Sequence, residues 1–233
     1  MKVRQIPKQA PMFVPEAEIT VPHGKGEITF LAPYFGSGNY TSVRLGIESA
    51  GLRMPTYAET VSLAYDALVA DRSGKYSETV RNLMKSSWLR ASNGILYVPD
   101  KGAYIQDSPE LKNGQLKNGQ VKMDESYLVR RLEAKDSSVR YVPFGFKTEV
   151  QTSRELEKNP FVIALAGEEG AAKLGEMADK FRNKPYVWSF GKVDSPTIRF
   201  AGLGSDRDFG YGRLDVDGGS WNGGNGYAFG VSK

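Results

Sequence analysis

Residues 204–227 read GSDRDFGYGRLDVDGGSWNGGNGY, and AFGVSK follows. Eight of these 24 residues are glycine. Average usage is about 7%, so this stretch is too poor in side chains to build a core. The rest is mostly Asp, Asn, Ser, Arg, Tyr and Trp. That palette suits a contact surface, in which flat aromatics give area and small polar groups give adaptable hydrogen bonds. Inside it Arg213-Leu214-Asp215-Val216-Asp217 alternates with the period of a strand. Leu214 and Val216 are expected to face inward, and Arg213, Asp215 and Asp217 to face out. The remaining chain then reads as a scaffold that presents this tail.

The chain has 233 residues, enough for one large domain with a sizeable core. It has no cysteine, which excludes disulfides, zinc–thiolate sites, iron–sulfur clusters and thiol catalysis. Its single histidine, His23, sits in VPHGKG and reads as a solvated turn residue. Net charge is +4, but the basic residues are spread out and form no nucleic-acid footprint. No apolar run is long enough for a membrane span, and the first residues lack a secretory signal. The expected location is cytoplasmic by default, or display through another protein.

Taken in order, residues 1–26 read as an extended, proline-punctuated arm. Residues 27–32 and 43–47 are strand candidates. Pro55 is placed to open a helix, whose stripe is Ala58, Val61, Ala64, Tyr65 and Leu68. A second helix is expected over 77–89, with Val80, Leu83, Met84 and Trp88 as its stripe. Residues 94–98 and 103–106 form a hairpin. The tandem LKNGQ-LKNGQ at 111–120 is an exposed loop. Asp124 caps a helix through Leu132. A strand follows at 139–144, a short helix starts at Thr152 or Ser153, and a longer one covers 160–181. Strands at 186–190, 197–201 and 227–231 complete the pattern.

Chemical motifs are scarce. The tail glycines lead into a strand and not a helix, so they do not form a phosphate loop. Asp215-x-Asp217 opens like a calcium loop, but position twelve is Gly226 where a bidentate glutamate is required. No GxSxG element is present, and one histidine leaves little for a triad.

Two stretches carry a resemblance. Gly51-Leu52-Arg53-Met54-Pro55-Thr56-x-Ala58-Glu59 resembles the helix-opening signature of the formylglycine-generating-enzyme branch of the C-type lectin fold. Gly218-Gly219-Ser220-Trp221-Asn222, followed by Ala228-Phe229-Gly230-Val231, resembles that branch's terminal motif, with Ser232 where its arginine would stand. The enzymes of the branch work through cysteines, which this chain lacks. The resemblance therefore points to the branch's binding proteins, the variable proteins of diversity-generating retroelements, and in particular to archaeal members. In these a C-terminal segment is rewritten at adenine-containing codons while the fold holds it on one surface.

The resemblance implies an α+β domain of C-type lectin fold, with helices flanking a small, mostly antiparallel sheet. The domain spans 51–233, residues 1–50 form an extension packed on it, and the variable region lies at about 202–227. It implies a monomeric, non-enzymatic binder of a varying ligand, a protein or cell-surface molecule, with no metal, other cofactor, nucleic acid or membrane insertion. The ligand-contacting residues would be Ser205, Asp206, Arg207, Asp208, Phe209, Tyr211, Arg213, Asp215, Asp217, Ser220, Trp221, Asn222 and Asn225. Trp221 is the fixed member, since adenine substitution does not reach its codon. A fixed-specificity lectin and an enzyme on the same fold are the alternatives.

Overall fold

The helix that opens after Pro55 shows how local sequence sets the frame. Thr56 caps it: its hydroxyl accepts from the Glu59 backbone N–H, while the Glu59 carboxylate accepts from the Thr56 N–H at 2.7 Å. This reciprocal box satisfies two donors that a helix start leaves unpaired. Pro55 therefore stands just before the cap, not inside the first turn. Arg53 clamps the same carboxylate through two hydrogen bonds of 2.7 Å.

A computed structural model describes residues 14–111, 121–206, 212–220 and 224–232. The LKNGQ repeat from residue 112 onward lies outside them. So do Arg207, Asp208, Phe209, Tyr211, Trp221 and Asn222 of the expected contact set. The strands are β1 (Ala17–His23), β2 (Gly26–Gly38), β3 (Trp88–Val98), β4 (Gly102–Gln106), β5 (Val139–Pro143), β6 (Glu149–Val150), β7 (Tyr186–Trp188), β8 (Thr197–Ser205), β9 (Leu214–Ser220) and β10 (Gly226–Val231). The helices are α1 (Tyr40–Ser49), α2 (Tyr57–Tyr65, continued by a π-turn over Asp66–Ala70), α3 (Ser77–Ser86), α4 (Glu125–Glu133), α5 (Ser153–Glu157) and α6 (Pro160–Ala178).

The architecture is mixed α+β. All ten strands join one sheet, ordered β1-β2-β10-β3-β8-β9-β7-β6, with β4 and β5 continuing from the far part of β3. This sheet is larger than the small one expected, and it is mixed. β10 runs parallel to β3, and β7 runs parallel to β9. The sheet also crosses the 50/51 boundary, because β2 pairs with β10. Prolines hid β1 in the sequence; it is an edge strand, where Pro22 removes no interior ladder bond.

Residues 43–47 are helical, not extended. Asn39 accepts from the Ser42 N–H at 2.8 Å, and Val43 and Ile47, one turn apart, are both buried. The β-branched side chains that suggested a strand instead form a helical stripe. Trp88 does not extend α3; it begins β3.

Apolar side chains fill both sides of the sheet. On one side α2, α3 and α6 bury Val61, Val80, Leu83, Phe161 and Leu174 against Leu89, Ala201, Leu203, Leu214 and Val216. On the other, α1 and α4 bury Tyr40, Val43, Ile47 and Leu128 with Leu96, Phe200 and Ala228. That second side is only partly covered by apolar packing, and the candidate site lies in the remainder.

A polar face over glycines as the candidate functional site

Strand register identifies which side chains share this remainder. Arg90 of β3 stands opposite Gly202 of β8, which stands opposite Asp217 of β9, which pairs with Trp188 of β7. One step along, Gly204 pairs with Asp215, which pairs with Tyr186. Directly paired residues point to the same side of a sheet, so these form one face. The intervening residues, Leu89, Leu203, Val216 and Val187, lie in the apolar core behind it.

The two β8 glycines make room. A Cβ at Gly204 would lie 3.0 Å from the Trp88 ring, and one at Gly202 would lie 3.6 Å from it. The indole therefore lies across the strand where side chains would otherwise stand. Gly226 does the same for Arg90: a Cβ there would overlap the Arg90 side chain.

The alternation expected of residues 213–217 holds in direction but not in exposure. Asp215 and Asp217 face away from the apolar core, yet they are only 5% and 4% exposed. The expectation that they lie open to solvent is corrected. β9 is an interior strand, flanked by Tyr186 and Trp188 on one side and by the lane of Trp88 and Arg90 on the other. Arg213 closes over the top. Its guanidinium sits 4.6 Å from the Tyr186 ring centre and 5.6 Å from that of Trp188, and its Nε donates to Asp215 Oδ1 at 2.9 Å. A charged group sandwiched this way adds cation–π attraction to an ion pair.

Burial dominates the electrostatics. It pushes the Asp217 carboxyl up to about 6, against the lowering effects of hydrogen bonds from Ser220 and the Gly219 N–H and of the Arg90 charge. Asp215 is also raised, by burial, with Arg213 opposing. Burial lowers Arg90, with Asp217 opposing. The Gly219 N–H donates to Asp217 Oδ1 at 2.7 Å, so this carboxylate braces the end of β9, where the β8–β9 register shifts.

The other described residues of the expected contact set separate into two places. Ser205 and Asp206 lead out of β8, and Arg213 leads into β9, where Asp206 Oδ1 accepts from the Arg213 N–H at 2.9 Å. Asn225 precedes Gly226, which is level with Trp88 and so lies at the same end of the sheet. Ser220 is at the opposite end of β9, level with Phe200. Six residues of strand put it roughly 20 Å away. Asp206 and Asn225 are exposed, while Ser205, Arg213 and Ser220 are half-buried.

Sequence reasoning missed Trp88, Arg90, Tyr186 and Trp188. A signal was present: Trp88-Leu89-Arg90, Tyr186-Val187-Trp188 and Asp215-Val216-Asp217 each place one core residue between two that share the other face. Among the described residues no group of three or more His, Asp or Glu is arranged to hold a metal ion. No described helix is long and apolar enough to cross a membrane.

The two stretches that carried the family resemblance meet. The Arg53 N–H donates to the Val231 carbonyl and the Val231 N–H to the Arg53 carbonyl, both at 2.9 Å. Gly230 lets Leu52 close against the last strand. Comparison with family models, with curated proteins and with solved structures finds no match for this chain.

Proposed function

We propose that the chain is a non-enzymatic binding protein of C-type lectin fold whose tail presents a diversified ligand surface. The observation that carries this reading is the split between frame and surface in the tail. Leu214, Val216, Phe229 and Val231 are at most 3% exposed. Asp206 and Asn225, just beyond the same strands, are exposed. A frame fixed by such residues tolerates change at exposed positions, where substitutions usually stay within about ±0.5 kcal/mol. The reading is narrower than the sequence suggested. Asp215 and Asp217 belong to the buried support, and contact falls to the connections 205–213 and 220–225.

A non-catalytic role is supported by access. Asp215, Asp217 and Arg90 are each at most 5% exposed. The displaced acid and its cationic neighbour therefore act as structure and not as an acid–base pair.

A randomised library at residues 207–211 and 221–223 tests the reading. Most members should keep a melting temperature close to the parent's, whereas Val216→Asp should abolish folding by burying an unpaired charge. The surrounding DNA should also hold a near-copy of the tail's coding sequence, differing only at adenines, beside a reverse transcriptase gene. General loss of folding across the library, or the lack of that arrangement, overturns the proposal.

A further inference from the structure

The outer edge of β5 opens on a groove. All five residues of the strand line a hollow of about 550 Å³, together with Leu132 of α4 and Pro160, Ile163 and Ala164 of α6. Residues that face either side of the sheet take part alike, so the hollow runs along the edge of the strand and not over one face. Its two walls are apolar, one from each helix. Among the described strands β5 pairs with β4 alone.

The ladder bonds show which backbone groups the groove receives. The Asp107 N–H donates to the Ser138 carbonyl at 2.9 Å, and the Phe144 N–H to the Lys101 carbonyl at 3.0 Å. Antiparallel ladders alternate, so Arg140 and Val142 turn their N–H and C=O groups toward β4. Val139, Tyr141 and Pro143 turn theirs outward. The Val139 N–H is taken by the Asp136 carbonyl at 3.1 Å, and Pro143 has no N–H. Among the described residues no partner meets the outward groups of Tyr141. The edge therefore offers a donor at Tyr141 and acceptors at Val139, Tyr141 and Pro143.

That pattern selects its occupant. A second copy laid antiparallel about Tyr141 would pair the Tyr141 groups of both chains. It would then set Val139 against Pro143, where neither residue has an N–H to give, and leave those carbonyls unmet. A segment of a different protein can bring an N–H to each of them. Charge narrows the choice further. Beyond Pro160 the groove adjoins a pocket of about 370 Å³ lined by Lys147, Arg154 and Lys158 against Glu155. Lys147 is paired with Glu155 at 2.8 Å, so Arg154 and Lys158, both exposed, remain as excess positive charge.

We propose that the edge of β5 binds an extended peptide segment of a partner protein, apolar at its centre and flanked by acidic residues. The segment adds to the sheet as a further strand. Its alternate side chains lie against Leu132 on one wall and against Ile163 and Ala164 on the other, and an acidic flank meets Arg154 and Lys158. The site belongs to the scaffold and is independent of the tail reading proposed above.

Calorimetric titration of the full chain at physiological salt, with a capped Val/Ile/Thr peptide flanked by glutamates, tests the site. Binding should be saturable. The same peptide N-methylated throughout its apolar run keeps its side chains but brings no donor, and it should not bind. A form flanked by lysines should bind more weakly. Tyr141→Pro removes the outward donor without touching a bond to β4 and should weaken binding about tenfold. Lys158→Glu, at an exposed position, should weaken it about threefold, the scale of one exposed ion pair. It serves if the Tyr141 variant folds poorly. Lys25→Glu, the same charge change in the β1–β2 turn, should leave the affinity unchanged. Absence of saturable binding, equal binding of the N-methylated or lysine-flanked peptide, or the same loss with Lys25→Glu overturns the proposal. So does concentration-dependent dimerisation that Tyr141→Pro abolishes, which would make a second copy the occupant.

Discussion

The helix start at residues 53–59 and the strand at 213–220 are both dense in charge, but they handle it differently. In the first, Glu59 is surrounded by partners close in sequence: Arg53, the Thr56 N–H and the Thr56 hydroxyl. Burial alone would raise its carboxyl, yet the net effect of Arg53 and Thr56 is to lower it. In the second, Asp217 meets Ser220, the Gly219 N–H and Arg90, and burial still prevails. Local pairing makes the first charge a source of stability. Enclosure within a sheet leaves the second partly uncompensated.

Three predictions sharpen this contrast. The largest effect is expected at Glu59. Glu59→Ala removes the helix cap's return bond and leaves Arg53 without its clamp, costing about 2–3 kcal/mol, read as a lower denaturation midpoint. A cost well below that would mean the box is ornamental to α2.

The second prediction concerns pH. Aspartate in an unfolded chain titrates near 3.9, and Asp217 in the fold is raised to about 6. Between those values the folded chain keeps a proton that the unfolded chain has released. Stability should therefore fall as pH rises from about 4 to about 6, and level off above that. Asp215, raised in the same direction, adds to the fall. The drop should be roughly 2 kcal/mol, and Asp217→Asn should flatten most of it in denaturant titrations across that window. A wild-type curve that climbs through the window instead would show that Asp217 is well compensated.

The smallest effect is expected at Asp206, which is exposed and, among the described residues, accepts from the Arg213 N–H and stands 3.9 Å from the Arg213 Nε. Asp206→Ala should shift stability by about 0.5 kcal/mol or less. A larger loss would move Asp206 from the surface into the frame.

How much was legible follows from the range of the forces involved. The caps at Asp124 and Thr152 and the apolar runs of β3, β8 and α6 act within a few residues, so they can be read along the chain. Residues 43–47 look like a strand because Val43 and Ile47 are β-branched, but the Asn39 cap and the one-turn spacing of these two buried residues make a helix. The burial of Asp215 and Asp217 is hidden from the sequence for another reason. Alternation shows which way Asp215 and Asp217 point, but what stands beside them depends on Arg90, 127 residues earlier than Asp217 in the sequence, and on Tyr186 and Trp188 of a parallel neighbour. Cross-strand partners set enclosure, and they cannot be known before the strand order is.

The position of β10 carries a consequence for how the protein is made. It lies between β2 and β3 in the interior of the sheet, yet it is translated after every other described strand. A nascent chain that stops anywhere before Gly226 has two unpaired ladders facing a gap, the kind of open edge that invites aggregation or proteolysis. A premature stop in the tail would thus yield a molecule unable to close its sheet, so that the assembly step itself would screen chains for completeness.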